Sequence, residues 1–559
     1  MKNHKQFDVG AINAPDNRGT EFIIGFMQNY NDPDREPMDN ELFITTSKTT
    51  PTNVLVQAPR YPSLGLNESF SVIAGTVKQL NIKSDIRLIG TSMEAKGILV
   101  TSDQEIVVYG VNKDRYSNDA YVSLPTDVLG TDYFAVCWYP QTRQCQILIA
   151  ATQDNTTVAI TLGPGMQARR NPVTWQGTNY YKDDTITVTM DRLDTFQITN
   201  EDEDLTGSRI TSDKPISVFS GNQKTIISSG TSSDHLVEQL TPVNTWGKRF
   251  ATVPIPERTV GDMFKFVASE DNTQVSINCN GYSTTVTLTT AGSYHIEDIA
   301  SDKYCYVTAD KAILTVQFCK SQTSSSSSEK SDPMMMLIPP VELYGADYTF
   351  STPKYSQGSY ENFFMFTIKD SLKDGLLLDG EPFPASTVYN SITGINLVAG
   401  YVPVTDGSHV IRHTSTIAIF GGYLYGKAPY ETYGFSTGTR LASINGVCIN
   451  TTTVVGDDDD GDGLFDEDCA IPFPVNGNWS EWSLWSFCSV NCTMIRSRTC
   501  TNPAPAYDGE QCSGNSTDES DCTPCTDLNN SADIIYDFKL SEIDMYYNLE
   551  NKFCSKRKG

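Results

Sequence analysis

From Gly19 to Gly434 the chain alternates apolar and polar residues, in runs rich in Val, Ile, Thr, Tyr and Phe that Gly, Asn and Asp interrupt. Successive side chains of an extended strand point to opposite faces, so a period of two predicts strands with one buried face. TTVAITL (156–162), DTITVTM (184–190) and TVTLTT (285–290) show it plainly, and helical periodicity is nearly absent. The pattern predicts an all-β architecture.

The pattern also repeats. IAATQDNTTVAITL (149–162) matches FVASEDNTQVSINC (266–279), each with Asp-Asn-Thr in a turn before a strand. A second unit recurs as KGILVTSDQEIVVYGVN (96–112), GSRITSDKPISVFSGN (207–222), YCYVTADKAILTVQFCK (304–320) and, more weakly, HVIRHTSTIAIFGGYLYG (409–426). It reads as strand, polar turn, strand, with Ser-Asp or Ala-Asp seating the turn through side-chain to backbone hydrogen bonds. The openings GTEFIIGF, GTDYFAVCW, GKRFATVPI and GADYTFSTP begin at residues 19, 130, 247 and 345, so they lie 111, 117 and 98 residues apart. About seven short strands in roughly 100 residues is the size of a β-sandwich. The expectation is therefore a tandem of β-sandwich-like repeats at about 19–115, 130–225, 247–321 and 345–430, behind a short extension at 1–18. The alternative is a four-module ring resembling a propeller.

KGILVTSDQEIVVYGVN, DLTGSRITSDKPISVFSGN, SSDHLVEQLTPVNTWGKRF and DPMMMLIPPVELYGADYTF, in that order, resemble the N-terminal region of the IgG Fc-binding protein family over about 19–435. The resemblance implies a secreted, multimodular protein of mucus, cuticle or matrix. The von Willebrand D domains of the family's large members do not occur in this sequence, so Fc binding and gel-scaffold roles are not carried over.

Near the C-terminus the sequence changes character. WSEWSLWSFCSVNC spaces Trp479, Trp482 and Trp485 by three, and IRSRTC spaces Arg496 and Arg498 by two. On a strand the two arginines share a face, and their guanidinium planes can slot between the indoles as cation–π pairs. A segment of about 50 residues buries too little apolar surface to fold unaided and usually needs disulfides. Six cysteines occur here, which leaves the pairing open on sequence alone. The segment 476–525 resembles a thrombospondin type 1 repeat. That resemblance implies the pairs Cys488–Cys522, Cys492–Cys525 and Cys500–Cys512, C-mannosylation of Trp479 and Trp482, and ligand binding around Trp479, Trp482, Trp485, Arg496 and Arg498. Asn491 stands where those repeats carry an O-fucosylated Ser or Thr, so that modification is not expected.

Between the two regions lies an acidic loop, with eight carboxylates in the twelve residues 457–468. Asp458, Asp460, Asp462, the Leu464 carbonyl and Asp466 fall at positions 1, 3, 5, 7 and 9 of a calcium loop, with Gly463 at the sharp turn. Cys469 stands where a bidentate Glu would complete the set, so Asp468 or Asp466 must substitute. The expected cofactor is one weakly held Ca2+, in a loop closed by Cys448 and Cys469 that stiffens the join.

Charge and cysteine usage narrow the partners and the compartment. A formal net charge of −27 disfavours nucleic acid, whose binding needs Lys and Arg to neutralise phosphates. Fourteen cysteines and N-x-S/T triplets at Asn67, Asn155, Asn450, Asn478, Asn491, Asn515 and Asn529 point to an oxidising, glycosylating compartment, hence a secreted protein. The first 25 residues carry no apolar signal-peptide core, and no stretch has the length of a membrane span. Cys137 and Cys145 suit a hairpin-closing bridge, and Cys279 suits Cys305 or Cys319, which leaves one of these and Cys554 over. The Ser run 324–328 reads as a solvated loop, and 526–559 as a tail with a short amphipathic helix.

No motif of nucleophilic, metal or phosphate chemistry appears. The one tempting cluster is Ser232, Ser233, Asp234, His235 and Glu238, but adjacent residues on a strand face opposite ways. His409 and His413 stand four apart on strand grammar, which does not bring them together. The leading expectation is a non-catalytic adhesion protein of matrix or mucus that engages matrix or cell-surface proteins, possession of glycan ligands being open. Its alternatives are a carbohydrate-reading defence lectin, stacking sugars on Tyr355, Tyr360 and Phe363, and, more remotely, a hydrolase on a β scaffold.

Overall fold

The computed structural model describes residues 15–30, 34–322, 332–355, 358–415, 418–442, 444, 479–486, 489, 493–501 and 512–521. They belong to two compact units, Met1–Ile471 and Pro472–Gly559. The acidic loop at 457–468, the residues Cys448, Cys469, Cys488, Cys492, Cys522, Cys525 and Cys554, the triplets at Asn450, Asn478, Asn491 and Asn529, and the tail 526–559 lie outside the described residues.

The first unit is built from strands, and its described helical segments are short 3-10 turns. Consecutive strands gather into four modules. The first centres on the 17-residue strand Ile98–Asp114, and the third on the 14-residue strand Tyr306–Cys319, each in a seven-stranded sheet. The second and fourth each combine a five-stranded with a four-stranded sheet. Ser92–Glu94, though it precedes the second module, joins that module's sheet through Met93 opposite Phe196.

The repeated Ser-Asp or Ala-Asp pair differs from expectation. In the first and third modules it lies inside one continuous strand, not in a turn. Ile98–Asp114 pairs through its first half with Gly19–Ile24 and Thr52–Gln57, and through its second with Asn40–Thr45 and Ser117–Val122. The Asp marks the corner where the strand changes partners. Its carboxylate accepts a neighbouring backbone N–H that the ladder no longer serves: Asp103 from Asn53 at 2.8 Å, Asp213 from Thr157 at 2.7 Å, Asp310 from Gln274 at 2.8 Å. Two other repeats have physical causes too. Asn155 and Asn272 of the Asp-Asn-Thr turns both hold left-handed backbone, with φ of 54° and 55°, a region that Asn tolerates. In the openings of the second and fourth modules Tyr133 and Tyr348 take the N–H of Gly130 and Gly345, both at 2.8 Å.

The modules close on themselves in a ring. Leu148, Phe219 and Val237 of the second pack into the core of the first, and Leu314, Val316 and Phe318 of the third into that of the second. Met365, Tyr423 and Tyr425 of the fourth join the third, and Tyr109 and Val111 of the first join Phe364, Phe366 and Phe435 of the fourth. A linear tandem of sandwiches, each burying only its own core, would leave these faces exposed. The chain ends of the ring also meet, with Asp16 bridged to Arg440 and the Leu441 N–H donating to Pro15 O at 2.5 Å.

The last strand of each module lines the ring axis. Ser117–Val122 packs on Asp234–Gln239 and on Glu431–Ser436, and Met335–Leu337 packs on the latter two. Ser117, Asp234, Asp332 and Glu431 occupy corresponding places, each eight residues before Pro125, Pro242, Pro340 and Thr439. One turn inward, Asp119 Oδ2 accepts the N–H of Val237 at 3.2 Å and of Met335 at 3.1 Å. The same carboxylate takes Ala120 N–H at 2.9 Å on Oδ1 and the Gly434 N–H. These four N–H groups sit three residues after the four corresponding places, so one side chain ties all four modules. Burial pushes the Asp119 carboxyl well above its usual value, against the pull of those donors. Deeper still, Glu238 Oε1 accepts the Leu337 N–H at 3.0 Å.

Candidate functional site: the tryptophan–arginine ladder

In the second unit Thr493–Ser497 pairs antiparallel with Thr517–Asp521, and Trp479 is bridged to Cys500. The tryptophan segment runs alongside without regular strand pairing. Its three-residue spacing has to match a two-residue spacing on Thr493–Ser497, and the serines make the conversion. Ser480, Ser483, Ser486 and Ser489 donate their N–H to the carbonyls of Thr499, Ser497, Ile495 and Thr493 at 2.7–2.8 Å. Their hydroxyls accept the N–H of the same four residues, at 3.0, 2.9, 2.9 and 3.3 Å. Each serine satisfies both polar groups of the residue it faces, and two residues between contacts on one strand are set against one on the other. Sequence reasoning passed over these serines; the recurrence of Ser480, Ser483 and Ser486 after each tryptophan in WSEWSLWS was the available signal.

The result is a stack of five side chains. Arg498 lies between Trp479 and Trp482, its guanidinium carbon 4.4 and 4.3 Å from the ring centroids. Arg496 lies between Trp482 and Trp485 at 4.8 and 4.6 Å. Arg496 also pairs with Asp518 Oδ2, through Nε at 2.9 Å and Nη2 at 2.6 Å, and Arg498 Nε donates to Asn515 O at 3.1 Å. The disulfide Cys500–Cys512 staples the end of the ladder, and Trp479 Nε1 donates to Ser513 O at 2.9 Å. All five predicted ladder residues are thus brought together. Leu484 and Ile495 stay exposed beside them, at 73% and 47%.

Elsewhere Cys137–Cys145 and Cys279–Cys305 are disulfides, and Cys319 is buried with Sγ 3.8 Å from Lys320 O. Asn67, Asn155 and Asn515 are exposed. The cluster at 234–238 holds no accessible reaction centre. Asp234, His235 and Glu238 are fully buried, and burial pushes His235 down to about 3, so it stays neutral. Its Nδ1 faces Gln223 O at 3.2 Å, and Ser232 Oγ accepts the Gln322 N–H at 2.8 Å. His409 and His413 point to separate carbonyls, of Thr405 and Leu372. The aromatics expected to stack sugars are displaced from that role: Tyr360 and Phe363 are 5% and 6% exposed, because they fill the cores between modules. Tyr355 is half-buried, its OH on Pro429 O at 3.0 Å.

The family model of the IgGFc binding protein matches residues 119–426, more than half of the chain. The chain belongs to that family. The thrombospondin type 1 domain model matches 480–526. The human IgGFc-binding protein is 24% identical over 423 residues, covering 75% of this chain and 7% of the relative. Rat semaphorin-5A is 49% identical over 65 residues, 11% of this chain and 6% of the relative, and Xenopus laevis thrombospondin-1 42% over 67 residues, again 11% and 6%. The chain therefore spans a small fraction of the length of each of these relatives. Both matched families are of non-catalytic binding domains. Among the described residues no helix is long and apolar enough to cross a membrane.

Proposed function

We propose that this IgGFc-binding-type protein is a secreted, disulfide-stabilised adhesion protein of matrix or mucus, whose tryptophan–arginine module engages a protein ligand. The ladder carries the reading. Both guanidinium groups are spent on indole faces, and Arg496 also on Asp518, so few free charges face outward for sulfated polysaccharide. Leu484 and Ile495 beside the stack offer apolar contact area of the kind protein interfaces use. With a net charge of −27, polyanions are repelled in addition. The four-module ring serves as a rigid support, and the loop at Asp458–Asp468 would stiffen the join by holding one Ca2+ weakly.

The test is adhesion of cells or isolated matrix to the immobilised full chain and to a Leu484→Asp, Ile495→Asp variant. Loss of adhesion in the variant, with no inhibition of the wild type by added heparin, supports the reading. Full adhesion by the variant, or block by heparin, overturns it. For the lectin alternative, glycan-array binding that survives in the variant would be the supporting result, but the burial of Tyr360 and Phe363 removes its proposed platform.

A further inference from the structure

One strand corresponds from module to module: Lys78–Ile82, Thr195–Asn200, Tyr294–Ile299 and Leu397–Val404. Each is paired on its inner side with a more central strand, Asn40–Thr45, Cys145–Ala151, Asp262–Ala268 and Glu361–Lys369 in turn. Their outer sides differ. In the second module Ser92–Glu94 adds along Thr195–Gln197, and in the fourth Asn390–Ser391 adds along Val398 and Ala399. In the third Tyr282 OH donates to Glu297 Oε1 at 2.7 Å, which ties the strand to the opposite edge of the sheet. Cys279, facing Tyr282, is fixed there by its disulfide to Cys305. In the first module Lys78–Ile82 ends its sheet, with no strand on its outer side among the described residues.

The opposing edge is free as well. Asn67–Val72 pairs with Thr52–Gln57 and ends the sheet on that side. Near the turn that joins the two edges they touch, with Lys78 Nζ 5.3 Å from the centre of the Phe70 ring. Away from the turn they part, and an open groove of about 580 Å3 runs between Leu64–Glu68 on one wall and Gln79–Lys83 on the other. The connection 58–66 shapes its end by closing on itself, Ala58 N–H to Leu66 O at 3.3 Å, whereas Asn280 and Gly281 alone make the corresponding turn in the third module. Asn67 of the glycosylation triplet is not among the lining residues.

A free strand edge presents a row of backbone N–H and C=O groups at the strand repeat, which is a template for one more strand. The five residues of each wall span about 16 Å, at roughly 3.3 Å per residue. The second and fourth modules already fill the same position from within the chain, so the fold accepts an added strand there. A second copy of this chain fits poorly: antiparallel pairing over the full edge sets Lys78 opposite Lys83 at both ends, and like charges directly opposite are destabilising. Lys83 is exposed and has no ion pair among the described residues. Charge therefore favours an occupant with a carboxylate at that end.

We propose that this groove docks an extended segment of a partner protein, which adds as a strand to Lys78–Ile82 and sets an acidic side chain against Lys83. Main-chain hydrogen bonds supply the affinity in this mode, and alternate side chains the selectivity. The groove lies in a different compact unit from the tryptophan–arginine ladder, so the inference does not rest on the adhesion reading.

The probe is a random dodecapeptide library displayed on phage and selected on the immobilised full chain, the most enriched peptide then being synthesised. Its binding is expected to slow amide hydrogen exchange at least tenfold within Gln79–Lys83, and to persist in the Leu484→Asp, Ile495→Asp variant. N-methylation of alternate peptide residues is expected to abolish binding in one of the two possible sets and spare it in the other, since successive N–H groups of a strand point to opposite sides. Lys83→Glu, at an exposed position, is expected to weaken binding about fivefold. Selection of no peptide, or of peptides that leave exchange at Gln79–Lys83 unchanged, overturns the proposal. Indifference to both N-methylated sets overturns strand addition, and unchanged affinity for Lys83→Glu overturns the acidic partner.

Discussion

Asp119 accepts the backbone N–H of Met335 at 3.1 Å, across 216 residues of chain. Val237, Ala120 and Gly434 donate to the same carboxylate, so the four innermost strands of the ring converge on one side chain. Truncation to alanine would strand several buried N–H groups at once, and each left unpaired costs about 1–3 kcal/mol. Asp119→Ala is expected to destabilise the β unit by about 3–5 kcal/mol, read as a shift in the urea midpoint of the secreted chain. A loss below ~1 kcal/mol would mean that water replaces the carboxylate without penalty.

In the ladder, Arg498→Lys tests planarity separately from charge. Lysine keeps the charge but cannot lie flat between Trp479 and Trp482, and it loses the Nε bond to Asn515 O. The expected loss is about 1–2 kcal/mol for that module, visible as a weakened near-ultraviolet tryptophan dichroism. Retention of the wild-type spectrum and melting would show that charge alone suffices.

How far the sequence foretold this molecule depends on what each residue's role requires. Alternation announced the strands, because burial of one face is written in period two. The indole and guanidinium spacings announced the ladder, because its partners are local. Asp119 was invisible, since SNDAYV reads as an ordinary half-buried strand and its donors come from three other modules. The Ser-Asp and Ala-Asp corners of the first and third modules were misread for a related reason: an Asp that caps a neighbouring strand and one that seats a turn look alike until Asn53 and Gln274 are seen donating to them. Ring closure is likewise carried by faces such as Tyr109 and Val111, whose partners lie more than 200 residues away in the fourth module.

The seam of the ring invites a local test. Arg18 binds Asp16 and also reaches Asp347 at 3.2 Å, beside the Asp16–Arg440 bridge. Its side chain is 23% exposed, so solvent screens part of the interaction. Arg18→Ala is expected to cost about 1 kcal/mol globally and to speed hydrogen exchange selectively at Arg440 and Leu441. Uniformly faster exchange across the fourth module would show instead that the seam and the module open together.

A deeper coupling joins the second and third modules. Lys265 Nζ, fully buried, donates to Asp204 Oδ2 at 2.8 Å, to Thr206 Oγ1 at 3.0 Å and to Cys137 O at 2.5 Å, between the rings of Trp138 and Tyr294. Tyr294 OH donates to the same carboxylate oxygen at 3.0 Å. Removing either charge leaves the other buried and uncompensated, which typically costs about 3–5 kcal/mol, whereas removing both restores neutrality. Lys265→Met and Asp204→Asn are therefore each expected to destabilise strongly, and the double variant by less than their sum, with a coupling of about 2 kcal/mol. The sign of the pH dependence follows from burial, which lowers the lysine below its ordinary value of 10.5. Between the lowered value and 10.5 the unfolded chain holds the proton that the native chain has released, so wild-type stability gains from this residue as pH rises through that window. Lys265→Met lacks that gain. Urea titrations of the wild type and the three variants at stepped alkaline pH measure both quantities, and additive single losses with parallel pH curves would show that the pair does not act as a unit.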